Sequence, residues 1–447
     1  MAPAVDGRLA ILAGISLSFV AVTAIKRLIK KRQNNLPLPP GPAPLPLLGS
    51  VLSVDTQEPW LTYTEWGATY GDLVFVRILD QKIVVVDSQR IAEALLEKRS
   101  RIYSDRPYLA TIEPYGWSIS FAFMGYGDEW RLCRRLFHQT FRSKSAVKFR
   151  PMQIRRAREM VVNLVDDPQH YHDHFATFSL SVVMSASYDY DIGARDDPLV
   201  KIVVEALNLS SALLTPETAL MLKTFPFLLK LPDWCWGSSI KRSARASTER
   251  INKMVNVPFQ YAQRHMTSAL LMVFILAMVL YPDVQRRAQA EIDSVVGKDR
   301  LPTFEDSASL PYIDAVVRET FRWQPVVPLG IPHTALDDDV YDGYFIPKGA
   351  LFLGITRDEK RYPNATHFIP ERFIDVNGAL TADDPAQYVF GFGRRVCPGR
   401  YTAVASVWSA IVTMLATLDI SSAKDDQSKV INFTPIFIPG GWRTAEF

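Results

Sequence analysis

Cysteine is scarce in this chain: Cys133, Cys235 and Cys397 are the only three in 447 residues. An odd, widely spaced set supports no disulfide framework and fits a reducing compartment. A strong charge bias is missing too, with 50 basic residues against 47 acidic ones and a formal net charge of +3. Composition therefore offers no argument for a nucleic-acid partner. Internal repeats, low-complexity tracts and a flexible interdomain linker are all lacking, which leaves one large body. No flavin or nicotinamide fingerprint is found either. The nearest approach is Gly391-x-Gly393, and its third glycine position is Val396.

What is present begins at the N-terminus. Leu9 to Ile25 is 17 residues without a charge, the short end of what spans a bilayer as a helix. Lys26, Arg27, Lys30, Lys31 and Arg32 follow at once. By the positive-inside rule that side stays cytoplasmic and the short N-terminus is lumenal. A cleaved signal peptide, the alternative, would carry its basic residues before the apolar run. The expected organisation is an anchor with its basic flank over 1–32, a proline-rich hinge over 33–50 and a globular body over 51–447. LPLPPGPAPLPLLGS, residues 36–50, is stiff and extended because proline fixes φ and removes donors. A generic linker or a ligand for a proline-binding domain is the alternative, but its place between anchor and body favours a hinge that sets the body's angle on the membrane. The glycosylation patterns at Asn208, Asn364 and Asn432 are expected to go unused if the body is cytoplasmic.

Within the body, Leu73–Leu79 and Lys82–Val86 are β-rich runs around an Asp80-Gln81 turn. Ser88–Lys98 reads as an amphipathic helix capped by Ser88. From about Asp128 to Trp323 the apolar spacing is mostly helical, and short strands return over 339–347 and 350–356. Met266–Tyr281 is about 16 residues long, a length that more often marks a buried core helix than a membrane span. The fold class expected is mainly α with small β-sheets. His170, His172 and His174 in QHYHDHF could share a metal, but the segment is polar, lacks an obvious fourth ligand and reads as a solvated turn.

The chemistry concentrates in FGFGRRVCPGR, residues 390–400. Phe390, Gly393, Arg395, Cys397 and Gly399 stand at fixed spacing before a nearly all-apolar helix that runs to about Leu418. A cysteine near a helix N-terminus is favoured as thiolate by the N–H groups and the dipole. Glycines let the backbone fold tightly under something flat and bulky. An arginine two residues before the thiol can pair with an anionic group of the same ligand. A lone cysteine is usually buried and inert, yet this five-residue pattern arises by chance on the order of 10⁻⁷ per position. The sum points to an axial thiolate for a haem iron, with a cationic clamp for a propionate.

On these residues the chain resembles the cytochrome P450 family of haem-thiolate monooxygenases, in its membrane-anchored fungal form. The resemblance runs from about residue 36 to the end and implies the P450 fold, with Cys397 as iron ligand. Glu319 and Arg322 in ETFR lie on one helix face and resemble the family's Glu-x-x-Arg, with Arg372 in PERF as the usual third member of a structural ion network. Trp130 and Arg134, four apart, resemble the family's propionate partners. His333 stands where the family often has a basic one.

One family segment is not matched. The family carries protons to bound dioxygen through Ala/Gly-Gly-x-Asp/Glu-Thr-Thr, midway along a long helix. Here AQRHMT, residues 262–267, stands at that place. His265 replaces the acid and Thr267 alone could survive as the second threonine. Either the site diverged or a segment is missing, and the second is favoured: VNVPFQYAQRHM reads as the end of one helix joined directly to the second half of the next. Residues 349–363 are also short by about four against the family pattern. His265 reaching the iron as a second axial ligand is a further alternative.

The resemblance implies a haem b monooxygenase that inserts one oxygen atom of O2 into an apolar small molecule, in secondary metabolism. Its electrons would come from NADPH through a separate cytochrome P450 reductase, with cytochrome b5 a second candidate donor. Arg131, Arg135, Arg394 and Arg400 are candidates for the surface meeting an acidic partner. The expected location is the endoplasmic reticulum membrane, single-pass, with the body facing the cytoplasm. The alternative is a non-catalytic or defective haem-thiolate protein. FAFMGY, residues 121–126, and Val326–Ile331 are expected to line the substrate pocket.

Overall fold

A computed structural model describes residues 36–46, 48–55, 58–188, 216–235, 237–256, 262–354, 361–423, 436–437 and 445–446. The side chains of 253–256 and 262–268 are outside that description, as is the whole apolar run Leu9–Ile25. Asn208 and Asn432 also fall outside it, whereas Asn364 lies in an exposed turn.

The main sheet takes its strands from both ends of the body. β1 (Leu73–Ile78) and β2 (Gln81–Val86) form an antiparallel hairpin in which Ile78 pairs with Gln81. The turn is therefore Leu79–Asp80, one residue earlier than the sequence suggests. Leu79 takes φ +53°, an unusual conformation for a branched side chain. β3 (His333–Thr334), the hairpin β4 (Asp339–Tyr341) and β5 (Tyr344–Ile346), and β6 (Leu351–Gly354) come later. β6 lies parallel to β2, and β3 adds on antiparallel, giving the order β1-β2-β6-β3. A small pair, β7 (Ile436–Phe437) and β8 (Ala445–Glu446), lies near the C-terminus. The sheet matters because β3 is where His333 sits.

The helices are α1 (Pro59–Tyr70), α2 (Asp128–Phe141), α3 (Arg150–Asp166), α4 (Tyr171–Tyr188), α5 (Pro216–Thr224), α6 (Ser239–Asn256), α7 (Ala262–Leu280), α8 (Pro282–Val295), α9 (Pro311–Trp323) and α10 (Arg400–Thr417). Five open on proline at the first or second helical position, where the missing N–H has no intrahelical partner to lose. Segment 88–98 is not a plain helix. Gln89–Ala92 is α-helical and Glu93–Lys98 is π-helical, and Ser88 is extended but makes no side-chain cap.

α3, α4, α7 and α10 build the core. Ala269 to Met278 of α7 is buried at every position but Ile275, as expected of a core helix. Among the described residues no single helix is long and apolar enough to cross a membrane. α10 is buried from Ser406 to Leu415. Its polar residues bond backward along the helix, Ser406 to the Thr402 carbonyl at 2.9 Å, Ser409 to Ser406 at 2.8 Å and Thr413 to Ser409 at 2.6 Å. Such back-bonding lets hydroxyls enter an apolar interior. Gln153 of α3 reaches across to the Thr402 carbonyl and the Ser406 hydroxyl, both at 2.9 Å.

α9 is anchored at both ends. Glu291 of α8 accepts the backbone N–H groups of Tyr312 and Ile313 at 2.9 Å each, satisfying donors that a helix start leaves orphaned. At the far end lie Glu319 and Arg322.

The histidine segment is not the solvated turn expected: a 3-10 turn over Pro168–His170 runs straight into α4, and His174 is buried. His170 Nδ1 lies 2.9 Å from the Asp167 carboxylate, and His174 Nε2 lies 2.8 Å from the Asp167 carbonyl. No cluster of metal-ligating side chains is found among the described residues.

Candidate functional site

Cys397 lies two residues before Gly399, the N-cap of α10. Its own N–H donates to the Phe390 carbonyl at 2.8 Å, closing the loop on itself. Arg134 of α2 donates from Nη1 to the Val396 carbonyl, so α2 holds the loop from the side. Burial pulls the Arg134 guanidinium down, and the nearby Cys397 charge opposes that pull.

The glycines of the loop work differently from the sequence expectation. A Cβ on Gly393, which has φ +55°, would lie 2.2 Å from the Leu96 carbonyl oxygen of the π-helical turn. Gly393 is thus needed for the approach of protein to protein behind the loop. Gly399 has φ −90°, open to any residue. Neither is among the cavity-lining residues, whereas Gly391 is.

A cavity of about 220 Å³ opens above the loop, far more than the ~10–15 Å³ a single water needs. Trp130, Arg134, His333, Phe390, Arg395 and Cys397 all line it. The structure therefore brings together six residues that the sequence offers from three separate segments. Phe121, Ala122, Val327, Leu329, Gly330 and Ile331 line it as well, drawn from the two apolar stretches expected there. None of its lining residues comes from the described side chains of α7, which begin at Ala269. His265 and Thr267 are on that helix, with side chains outside the described residues.

Electrostatics at the cavity are one-sided. Arg106, Arg134, Arg395 and His333 line it, and no aspartate or glutamate does among the described residues. Arg395 donates from Nε to the Ser104 carbonyl at 2.7 Å and from Nη2 to the Met124 carbonyl at 2.9 Å. Its Nη1 is buried without a partner, and so is Nε1 of Trp130. An unmade bond on a buried donor costs about 1–3 kcal/mol. Two such donors at one cavity call for acceptors on a ligand. Burial pushes the Arg395 guanidinium down to about 10. Burial, with Arg106 next in effect, pushes the His333 imidazole down to about 3. His333 Nδ1 lies 2.7 Å from the Tyr103 carbonyl, so in the neutral ring Nδ1 carries the proton and donates it.

The ion network lies behind the cavity. Arg322 donates from Nε to Glu319 Oε2 at 2.6 Å and from Nη2 to Oε1 at 2.7 Å. Glu319 Oε1 also accepts the Ile369 N–H at 2.8 Å and Arg372 Nε at 3.3 Å. Arg322 Nη1 and Nη2 bond the Ala365 and His367 carbonyls at 2.9 and 3.0 Å. Glu319 and Arg322 are completely buried. The three predicted side chains meet, and together they fasten segment 363–372 to α9.

Arg131, Arg135 and Arg394 are exposed and Arg400 is half-buried. Arg131 pairs with Asp128, Arg394 donates to the Tyr126 hydroxyl, and Arg400 lies over the Tyr401 ring. Sequence reasoning missed Arg106, Trp117, Phe352, Tyr362 and Tyr388, all of which line the cavity. No local motif marks them.

Comparison with known proteins agrees with this geometry. A family profile for cytochrome P450 matches residues 39–271 and 261–440, two stretches that overlap at 261–271. The chain is 33% identical to cytochrome P450 monooxygenase 176 of Postia placenta over 455 positions, covering 90% of this chain and 87% of that one. It is 36% identical to cytochrome P450 monooxygenase 208 of the same fungus, covering 88% and 86%. Against the tryptamine 4-monooxygenase of Psilocybe cyanescens it is 33% identical, covering 92% and 91%. Ninety per cent of 447 residues is about 402, so the first alignment's 455 positions leave about 53 of that relative's without a counterpart here. A cysteine loop at a helix N-terminus, a buried Glu-Arg pair behind it and near-full-length similarity to fungal monooxygenases lead to one conclusion: this chain belongs to the cytochrome P450 family.

Proposed function

We propose that this chain is a haem-thiolate monooxygenase of fungal secondary metabolism, with Cys397 as the axial ligand of haem b. The observation that carries the reading is the pair of buried, unpartnered donors, Trp130 Nε1 and Arg395 Nη1, on two residues that line the same cavity as Cys397. Haem has two carboxylates at its edge, and these donors fit them. Bound with a thiolate ligand, haem would supply the electron-transfer and dioxygen chemistry that side chains lack. The protein's part is to hold, dry and orient. Phe390 packs against Phe321 of α9 with ring centres 5.5 Å apart, which keeps the loop's entrance rigid. Arg134 holds the Val396 carbonyl, which fixes the backbone entering Cys397. The walls at Trp117, Phe121, Phe137 and Leu329 suit an apolar small molecule, and an aromatic amine belongs in any substrate screen because one relative is a tryptamine oxygenase.

The remaining parts rest on sequence. Leu9–Ile25 and the basic residues after it support a single-pass anchor in the endoplasmic reticulum membrane with a cytoplasmic body. Electrons would arrive from NADPH through a separate reductase, with cytochrome b5 as a second donor. The exposed Arg131, Arg135 and Arg394 offer that acidic partner a surface.

The reduced, carbon-monoxide difference spectrum tests the assignment. A red-shifted Soret band of thiolate type is expected, and Cys397→Ala must abolish it. A band of neutral-ligand type in the unaltered protein would overturn the reading.

A second reading has its own support: a haem-thiolate protein that does not split dioxygen. AQRHMT replaces the family's acid-alcohol segment. α6 ends at Asn256 and α7 begins at Ala262, the family match doubles back at 261–271, and about 53 positions of a relative go unmatched. Loss of an internal segment before Ala262 would account for all three. With a reductase added, NADPH consumption that yields peroxide and no oxygenated product would favour this reading. Coupled product formation would exclude it. A six-coordinate ferric spectrum that His265→Ala converts to five-coordinate would identify His265 as the blocking ligand.

A further inference from the structure

A second cavity, of about 440 Å³, lies along α10, the helix that follows the cysteine loop. None of its lining residues lines the cavity of Cys397. Its volume is within the ~300–1,000 Å³ usual for small-molecule sites. One wall is the face of α10 that carries Val404, Ala405 and Trp408. Others come from the start of α3, the loop at Phe304, α9 and a 3-10 turn over Pro385–Gln387.

Four charged side chains line this cavity, Asp314, Asp384, Arg150 and Arg400, and no ion pair joins them among the described residues. The arginines meet water and aromatic faces. Arg150 is exposed, and its guanidinium carbon lies 4.9 Å from the Phe304 ring centre. Arg400 is half-buried, lies 4.8 Å from the Tyr401 ring centre and donates to its hydroxyl at 2.8 Å. Asp384 Oδ1 accepts the Ala386 N–H at 2.9 Å, which caps the 3-10 turn and leaves Oδ2 without a bond among the described residues.

Asp314 of α9 is the group left short. Burial pushes its carboxyl up to about 6. The Trp408 indole N–H and Arg318 pull it down, Glu291 and Asp384 push it up, and the net direction is upward. Neither pull replaces the water lost. Trp408 is buried, and its Nε1 reaches no partner at hydrogen-bond geometry. Arg318 donates from Nη1 to the Thr381 and Asp383 carbonyls at 2.8 and 2.7 Å. The same cavity has apolar walls, with Phe304 stacked on Trp408 at a ring-centre distance of 4.9 Å. A desolvated carboxylate gains most from a counter-charge, and apolar walls accept an apolar body.

We propose that this second cavity binds a small organic ammonium ion. Asp314 accepts its N–H groups with Asp384 as the second acceptor, and its apolar body rests against Phe304, Trp408 and Val404. Arg150 and Arg400 oppose a cation less than Asp314 attracts it, because charges in contact with water are screened. No part of this depends on haem.

The test is a calorimetric titration of the full-length protein with 2-phenylethylamine, 2-phenylethanol and 3-phenylpropionate, with the Soret band recorded alongside. One amine is expected to bind without moving that band, and the alcohol and the acid should bind at least about tenfold more weakly. Asp314→Asn should raise half-saturation by the amine about tenfold and leave that by the alcohol unchanged. Ala405→Leu keeps both carboxylates but fills part of the cavity, and should weaken the amine by a similar factor. Equal affinity for amine and alcohol would overturn the proposal. So would preference for the acid, amine binding that always moves the Soret band, or an amine affinity that neither variant changes. Should Asp314→Asn fail to fold, the preference of the unaltered protein for amine over alcohol and its loss in Ala405→Leu decide the matter. A protein without a Soret band would refute the haem assignment alone. Ala405→Leu then still separates the two cavities, since Ala405 lines only the second.

Discussion

The guanidinium carbon of Arg395 stands 4.3 Å from the ring centre of Trp130, one stacked pair made from α2 and the cysteine loop. Trp130 in turn stacks on Phe121 with ring centres 5.7 Å apart. Each member of the pair carries one buried donor without a partner, Trp130 Nε1 and Arg395 Nη1. Cation and indole attract by about 0.5–2 kcal/mol in such settings, so the pair is held in place before any ligand arrives.

Trp130→Phe keeps an aromatic ring and removes the N–H. Haem retention is expected to fall several-fold with little change in the stability of the cofactor-free protein. Trp130→Ala removes the ring as well and should cost about 3–5 kcal/mol. Haem transfer rates and urea unfolding of the cofactor-free protein separate the two effects.

Gly393→Ala sets a Cβ against the Leu96 carbonyl at a positive φ. Gly349→Ala is the control, since Gly349 has φ +77° and nothing within 4 Å of its would-be Cβ. The control isolates backbone strain, about 1 kcal/mol. Gly393→Ala should cost distinctly more, because backbone must also move. Equal urea midpoints for the two variants would contradict the close approach behind the loop.

Glu319→Gln leaves Arg322 buried with its counter-charge gone. Breaking a buried pair in this way costs about 3–5 kcal/mol. The double change Glu319→Leu with Arg322→Leu should be less harmful than either single one, since it leaves no isolated charge. Chemical unfolding of the three variants tests this, and additive losses would speak against a coupled network.

His333 sets a pH dependence for the cofactor-free protein. Its imidazole is held down to about 3 in the fold, against about 6.5 in an unfolded chain. Between those values the unfolded chain binds a proton that the folded one does not. Stability therefore falls as pH drops from about 6.5 towards 3 and is flat above. His333→Gln should flatten the part of the slope between pH 6.5 and 5. An unchanged slope would mean that other groups set the acid limit.

Much of the site was legible in sequence because its parts are local. Cys397, Arg395 and Gly399 sit within a few residues of one another before an apolar helix, and Glu319 and Arg322 are one turn apart on another. Spacing of that kind survives in any fold that keeps those helices. The turn at Leu79–Asp80 and the π-helical Glu93–Lys98 were less legible, since both are decided by pairing and packing against other segments. Gly393 carries a local signal, but the Leu96 carbonyl that requires it comes from far along the chain.

The amino-acid sequence by itself determined the thiol-bearing loop, the helix behind it, the Glu-Arg pair and the family they indicate. Each depends on residues close along the chain, where geometry follows from helix and turn periodicity. Only the tertiary structure decided the charge of the cavity. Arg106, Arg134, His333 and Arg395 come from four segments; motif and resemblance mark the last three, but nothing in the sequence around Arg106 marks it. Folding removes water from all four at once, and only then does the lack of any facing carboxylate among the described residues become a demand for an anionic ligand.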